Sequence, residues 1–241
     1  QTAFSSLDSQ LSQTLTSFFP KMQTIPPVQI ALGNNPRLSQ VPGYYTNTPR
    51  GGTFYFNFFD SSFNKRQVGW LYIHEGIPGH HYERTLTRML QKSSKIVRQA
   101  PFNYSTYTEG WAAYIEDIGR QIGAYRNDYE EYGKWEWDLI RSLRICMDIG
   151  LNYYDWTDQK ALNFWRAHIL DQDDIGKREI ARMRRWPAQV ITYKYGANKF
   201  LIWQKKASSR EGFNWISFHE EVLRHGPLPL SILENQLSFL Q

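Results

Sequence analysis

Three of the chain's six histidines fall within one eight-residue run, His74-Glu75-Gly76-Ile77-Pro78-Gly79-His80-His81. Neutral imidazoles suit zinc, and a neighbouring carboxylate can take a proton from the water such a cation activates. The run is a distorted form of the H-E-x-x-H zinc motif, whose two histidines lie four apart on one helix face. Here the later histidines lie six and seven residues on. At about 3.6 residues per turn, six residues put His80 well off the face of His74. Seven restore the face for His81 at a rise of about 10 Å, a long span for two ligands each about 2 Å from one zinc. Pro78 has no N–H for the His74 carbonyl, and Gly79 weakens a helix further. The helix carrying His74 and Glu75 is therefore expected to bulge or break over residues 76–79. A two-residue bulge would bring His80 to the motif's second position and leave His81 facing substrate or supporting a ligand. His81 stays the other candidate ligand, and a histidine-rich helix end without metal is the plain alternative.

Catalytic zinc takes three protein ligands and keeps one position open. The best third candidate is Glu109 in Tyr107-Thr108-Glu109-Gly110-Trp111-Ala112-Ala113-Tyr114-Ile115-Glu116. Ser105 or Thr108 could cap this helix, placing Glu109 in its first turn. Glu116 follows two turns later on the same face and could orient a ligating histidine. An exposed acidic first turn, favoured by the helix dipole, is the alternative for Glu109.

These residues resemble a bacterial family, domain-of-unknown-function family 885, grouped with the Glu-zincin metallopeptidases. The His74–His81 run and Glu109-Gly110-Trp111-Ala112 carry the resemblance first. Tyr44-Tyr45, residues 52–57, Arg144–Leu151 with Trp156-Thr157, Pro187–Gly196 and Phe218–Leu230 continue it in order, from about residue 41 to about 237. The resemblance implies zinc (Zn2+) on His74, His80 and Glu109, with Glu75 as base. It implies a zincin-like peptidase acting on a peptide or small amide. Tyr193 and His219, both in recurring blocks, are the candidates to stabilise a tetrahedral oxyanion. Three positions depart from the family pattern. Asn152 stands where a histidine is usual, Ala188 replaces the glycine of Pro-Gly-Gln, and His225 replaces a small or amide residue. Members are typically longer, so the chain looks like the C-terminal catalytic half of such a protein. A hydrolase of a non-peptide amide or ester, and a binding module with a degenerate metal site, are the competing readings.

The elements that must position these groups read as mainly helical, an α+β domain with a small β element near the cleft. The 241 residues fit one domain, 1–241, with residues 1–52 as a peripheral helix and loop. A helix from Ser5 or Ser6 to Phe19 is expected, then loop over 23–52 with a possible strand at Val28–Leu32. A strand over Thr53–Phe59 follows. Helices are expected over Lys65–Glu75, His80–Gln91, Tyr104–Ile122 and Asp128–Tyr154. Others should cover Thr157–Leu170, Asp173–Arg185, Ala188–Ser208, Trp215–Arg224 and Leu230–Leu240. Arg144 and Asp148, at i and i+4, are expected to pair, with Arg144 as a substrate-carboxylate site the alternative. Tyr44, Tyr45 and Arg50 could border the cleft.

A single cysteine, Cys146, excludes an internal disulfide and a cysteine-based zinc site, and reads as a buried small residue. No apolar run approaches a membrane span. No leader is read at Gln1, although processing would hide one, so the protein reads as soluble with export open. The net charge of +5 is concentrated between Lys177 and Arg210, where a solvated helix face is expected. No nucleic-acid motif accompanies it. Oligomeric state is not legible.

Overall fold

Apolar residues at helical spacing bury one face of α1 (Thr2–Leu15), and Phe4, Leu7, Leu11 and Leu15 all enter the core. Phe19 follows them in. The N-terminal helix thus lays its apolar stripe against the core and leaves its other face exposed. A computed structural model describes residues 1–48, 51–58, 63–93 and 104–240. Arg50 lies outside the described residues, as does Phe59, the expected end of a strand.

Three short strands follow: β1 (Gln29–Leu32), β2 (Gly43–Thr48) and β3 (Gly51–Phe56). β3 is central, parallel to β1 and antiparallel to β2, with Tyr44 opposite Tyr55. β2 lies in the stretch read as loop. Its Tyr-Tyr-Thr core is strand-forming, but the glycine, proline and asparagine around it hid the signal.

The helices are α2 (Val68–Glu75), α3 (His80–Ser93), α4 (Ser105–Asp117), α5 (Asp128–Asn152), α6 (Asp158–Arg166), α7 (Asp173–Arg185), α8 (Ile191–Ser208), α9 (Trp215–Leu223) and α10 (Leu230–Glu234). The architecture is mainly helical with one small sheet. One hydrophobic cluster runs through it, from Phe4 to Leu237. No helix among the described residues is long and apolar enough to cross a membrane.

The expected interruption is a full break. α2 ends at Glu75, the Ile77–Pro78 peptide is cis, and α3 starts afresh at His80. Gly79 is packed so closely that a Cβ there would sit 2.0 Å from the His74 carbonyl oxygen and 2.2 Å from that of Ile73. Trp111 on α4 donates its indole N–H to the Pro78 carbonyl at 3.0 Å, tying the break to that helix.

α4 lies against α8 with backbones in contact. A Cβ on Gly110 would be 2.6 Å from the Gly196 Cα, and one on Gly196 would be 2.2 Å from the Thr106 carbonyl. That approach lets Tyr107, Trp111 and Tyr114 pack around Phe200. α4 starts at Ser105 without a side-chain cap, so Glu109 falls in its second turn, not its first.

α5 buries Trp137, Ile140, Leu143, Met147 and Leu151 as the spacing predicts. Cys146, expected inside, is exposed because it falls off that stripe. Arg144 and Asp148 do not pair with each other. Arg144 bonds Glu179 of α7 at 2.7 Å, and Asp148 accepts the backbone N–H of Ala188 at 3.0 Å. Both are buried, so partners from across the fold outcompete a neighbour one turn away. Ala188 has a φ of 66°, a left-handed conformation that glycine adopts freely.

The Gly110–Gly196 contact is backbone on backbone, so no rotamer change can make room for a methyl. Gly110→Ala should lower stability by about 1–3 kcal/mol, read as a lower urea midpoint at constant slope. An unchanged midpoint would refute the close approach.

Candidate metal centre

Three elements converge on one point. The last turn of α2 brings His74, the first residue of α3 is His80, and the second turn of α4 carries Glu109. The His80 Nε2 lies 3.4 Å from Glu109 Oε2, and the His74 Nε2 lies 3.7 Å from it. One donor atom from each residue lies within 4.8 Å of the others. Donors at about 2.0–2.1 Å from a tetrahedral zinc sit roughly 3.3 Å apart. The two imidazoles and one carboxylate therefore suit such a cation in type, and both imidazole–carboxylate spacings lie within about 0.4 Å of that value.

The far side of His74 is fixed by a buried chain. Its Nδ1 is 2.6 Å from Glu116 Oε1, and Glu116 Oε2 accepts from Arg141 Nη1 at 2.5 Å. A proton held at Nδ1 leaves Nε2 to face the cluster, as in carboxylate–histidine–metal arrangements. Burial opposes charge on His74, but Glu109 and Glu116 outweigh it and push its pKa up to about 9. Burial also opposes charge on Glu109, yet His80 and His74 hold its carboxyl well below the usual range. The cluster is thus a set of mutually compensating groups that favours positive charge between them, which suits a cation.

Glu75 lies beside the cluster, 7% exposed, with no hydrogen-bond or ion-pair partner among the described residues. Burial raises its pKa, against the opposing pull of His74 and His80. It lines a cleft of about 300 Å³ together with the triad, Tyr44, Tyr45 and Tyr193. A larger cavity of about 900 Å³, between Arg66 and Asp174, contains none of the triad. The chemistry points to the smaller one.

Tyr193 reaches the site. Its ring lies parallel to that of His74, 6.2 Å away. Its oxygen accepts from Arg182 Nη2 at 3.0 Å and faces Gln189 Nε2 at 3.4 Å, leaving its own proton to donate. Burial foremost, and then Glu109, raise its pKa.

Two other candidates are turned away. His81 is buried, with Nε2 2.7 Å from the Pro26 carbonyl and Nδ1 3.1 Å from the Tyr45 hydroxyl. Neither nitrogen remains for a metal. His81 instead holds Tyr45, whose burial raises its pKa to about 12. His219 is also buried and does not line the cleft. It donates from Nδ1 to the Phe18 carbonyl, accepts the Tyr114 hydroxyl at Nε2, and stacks on Phe19 at 4.4 Å. These contacts tie α9 to the N-terminal segment. Asn152 sits at the end of α5, donating to the Met183 carbonyl at 3.3 Å, outside the cleft lining.

Arg141 and Arg182 line the cleft and were not anticipated. Arg141 had a signal: with Trp137 and Arg144 it falls at i, i+4 and i+7 on the apolar face of α5, where a charge must find a partner. Arg182 looked like one more member of a basic face. Around it, part of that face is neutralised: Arg184 pairs with Asp158, Lys194 with Asp138 and Lys199 with Glu234.

Glu116→Gln removes the charge behind His74 and should weaken zinc affinity about 10–100-fold, measured by chelator competition. Unchanged affinity would refute the orienting role. Burial holds the His219 pKa down at about 3, against about 6.5 in the unfolded chain. The unfolded state therefore binds more protons between these values. Stability should fall as pH drops from about 6.5 toward about 3, by up to about 1.4 kcal/mol per unit from this group. His219→Gln should flatten that slope in denaturation series at pH 7 and 4. An identical slope would overturn the assignment.

Three comparisons bear on identity. No curated protein matches the chain. A solved structure from Colwellia psychrerythraea superposes with a TM-score of 0.85 at 28% identity, covering 97% of this chain and 41% of that one. One from Shewanella oneidensis gives 0.71 at 18% identity, covering 97% and 44%. Both are described as a "putative lipoprotein", the second of unknown function. The chain therefore spans less than half the length of these relatives. The family model covers residues 3–237, so the match takes in α1 as well as the motif blocks from residue 41 onward. By that match the chain belongs to DUF885, the bacterial proteins of unknown function.

Proposed function

We propose that the chain carries the catalytic centre of a zinc-dependent metallohydrolase, a peptidase in its main activity. The observation that supports this most is the convergence of His74, His80 and Glu109 donors beside a buried, unpartnered Glu75. Zinc bound there would supply a Lewis acid that polarises a carbonyl and acidifies a water.

The rest falls to the protein. Glu75 has a raised pKa, which suits a base that must take a proton and give it back near neutrality. It would accept the proton of the attacking water and deliver it to the leaving amine. Tyr193 would donate its hydroxyl proton to the oxyanion as charge develops on the carbonyl oxygen. Arg182, bonded to the Tyr193 oxygen, fixes the direction of that hydroxyl. Glu116 and Arg141 keep His74 from rotating. The lipoprotein description of the two solved relatives supports an exported setting for the full-length protein.

Glu75→Gln keeps the shape of the site and removes the base. It should retain zinc by elemental analysis while losing about 10²–10⁴-fold in turnover of a broad peptide mixture. Undiminished turnover in that variant would refute the mechanism. A wild-type chain that takes up no divalent metal would refute the centre itself.

A further inference from the structure

Four guanidinium groups line the cleft: Arg84, Arg141, Arg144 and Arg182. Glu116 engages Arg141 at 2.5 Å, Glu179 engages Arg144 at 2.7 Å, and Glu83 lies 3.5 Å from Arg84. Arg182 differs. Among the described residues no carboxylate lies within ion-pair distance of it. Its Nη2 donates only to uncharged acceptors, Gln189 Oε1 at 2.7 Å and Tyr193 Oη at 3.0 Å. Its Nε and Nη1 have no acceptor among the described residues. Glu179, one turn earlier on α7, is committed to Arg144.

A partly buried cation with unspent donors costs desolvation energy that an arriving anion would offset. The guanidinium fork matches a carboxylate in shape and can bind it through two parallel hydrogen bonds. Arg182 is also well placed. The Tyr193 ring that it touches lies over His74, so Arg182 stands one side chain away from the triad. An extended peptide advances about 3.3–3.6 Å per residue, so an anchor here holds a chain end within a residue or two of the reacting carbonyl. Trp186, at the C-cap of α7 and 60% exposed, lines the same cleft and offers a flat apolar face to a terminal side chain.

We propose that Arg182 binds the free C-terminal carboxylate of the substrate, so that the enzyme removes residues from the carboxyl end of peptides. The assignment rests on the hydrolase reading above. It fixes the substrate class, a chain end with a free α-carboxylate, and makes Arg182 the residue that selects it.

The test compares three matched peptides: a free acid, its C-terminal amide, and an amide whose last residue is aspartate. A second arm measures benzylsuccinate and its monoamide by calorimetry, with and without added zinc. Wild type should prefer the free acid by about 10–100-fold in kcat/KM, carried mainly by KM, as expected for a charged hydrogen bond. Arg182→Gln should abolish that preference, and Arg182→Lys should restore part of it. Lys177→Gln, an exposed charge on the same helix, should retain it. Equal hydrolysis of acid and amide by wild type would overturn the proposal while leaving the hydrolase reading intact. Cleavage of the aspartyl amide as fast as the free acid would also overturn it, since the site would then read a side chain. If no peptide is cleaved, the hydrolase reading fails and calorimetry decides the carboxylate site. Weaker benzylsuccinate binding in Arg182→Gln would support it, and indifference to the substitution would reject it.

Discussion

The centre depends on one close contact, the Gly79 backbone packed against the carbonyls of Ile73 and His74. A continuous helix would send His80 around its axis and out of reach of His74. Ending α2 at Glu75 and restarting at His80 folds the chain back, so the two imidazole rings come to 4.9 Å between centroids. Only a residue without a Cβ can sit in that turn. The Glu109-Gly110-Trp111 segment completes the arrangement with one function per residue. Glu109 supplies the carboxylate, Gly110 admits α8, and Trp111 holds the Pro78 carbonyl.

A second constraint is the cost of burying charge. Arg141, Arg144, Glu116 and Glu179 are all removed from water, and each finds an opposite charge. These pairs do more than balance. Glu116 passes the field of Arg141 to His74, and the commitment of Glu179 to Arg144 leaves Arg182 with donors facing the cleft. Long α5 acts as the back wall, because its buried stripe alternates apolar residues with these two arginines.

Much of this was legible in the sequence. The helical periods of α5 and α7, the break after Glu75 and the grouping of His74, His80 and Glu109 all followed from spacing, proline and glycine chemistry and motif resemblance. The failures share a cause. The Arg144–Asp148 pair, the buried Cys146 and the site role of His219 were inferred from neighbours along the chain or from motif membership. Each was decided by what packs across: Glu179, the Ala188 amide, solvent, and the Phe18 carbonyl. β2 was missed because strand pairing, a long-range interaction, stabilises a segment whose flanks look like loop.

The sequence by itself determined which groups could do chemistry and where the helix had to end, because ligand type, proline's missing donor and glycine's missing side chain are local properties. Tertiary structure alone decided that Arg141 stands behind Glu116, that His219 turns to the Phe18 carbonyl, and that Arg182 alone of the cleft's arginines meets no carboxylate among the described residues. Those outcomes depend on distances between residues far apart in the chain, and a hydrogen bond or ion pair exists only when both partners arrive at the same place.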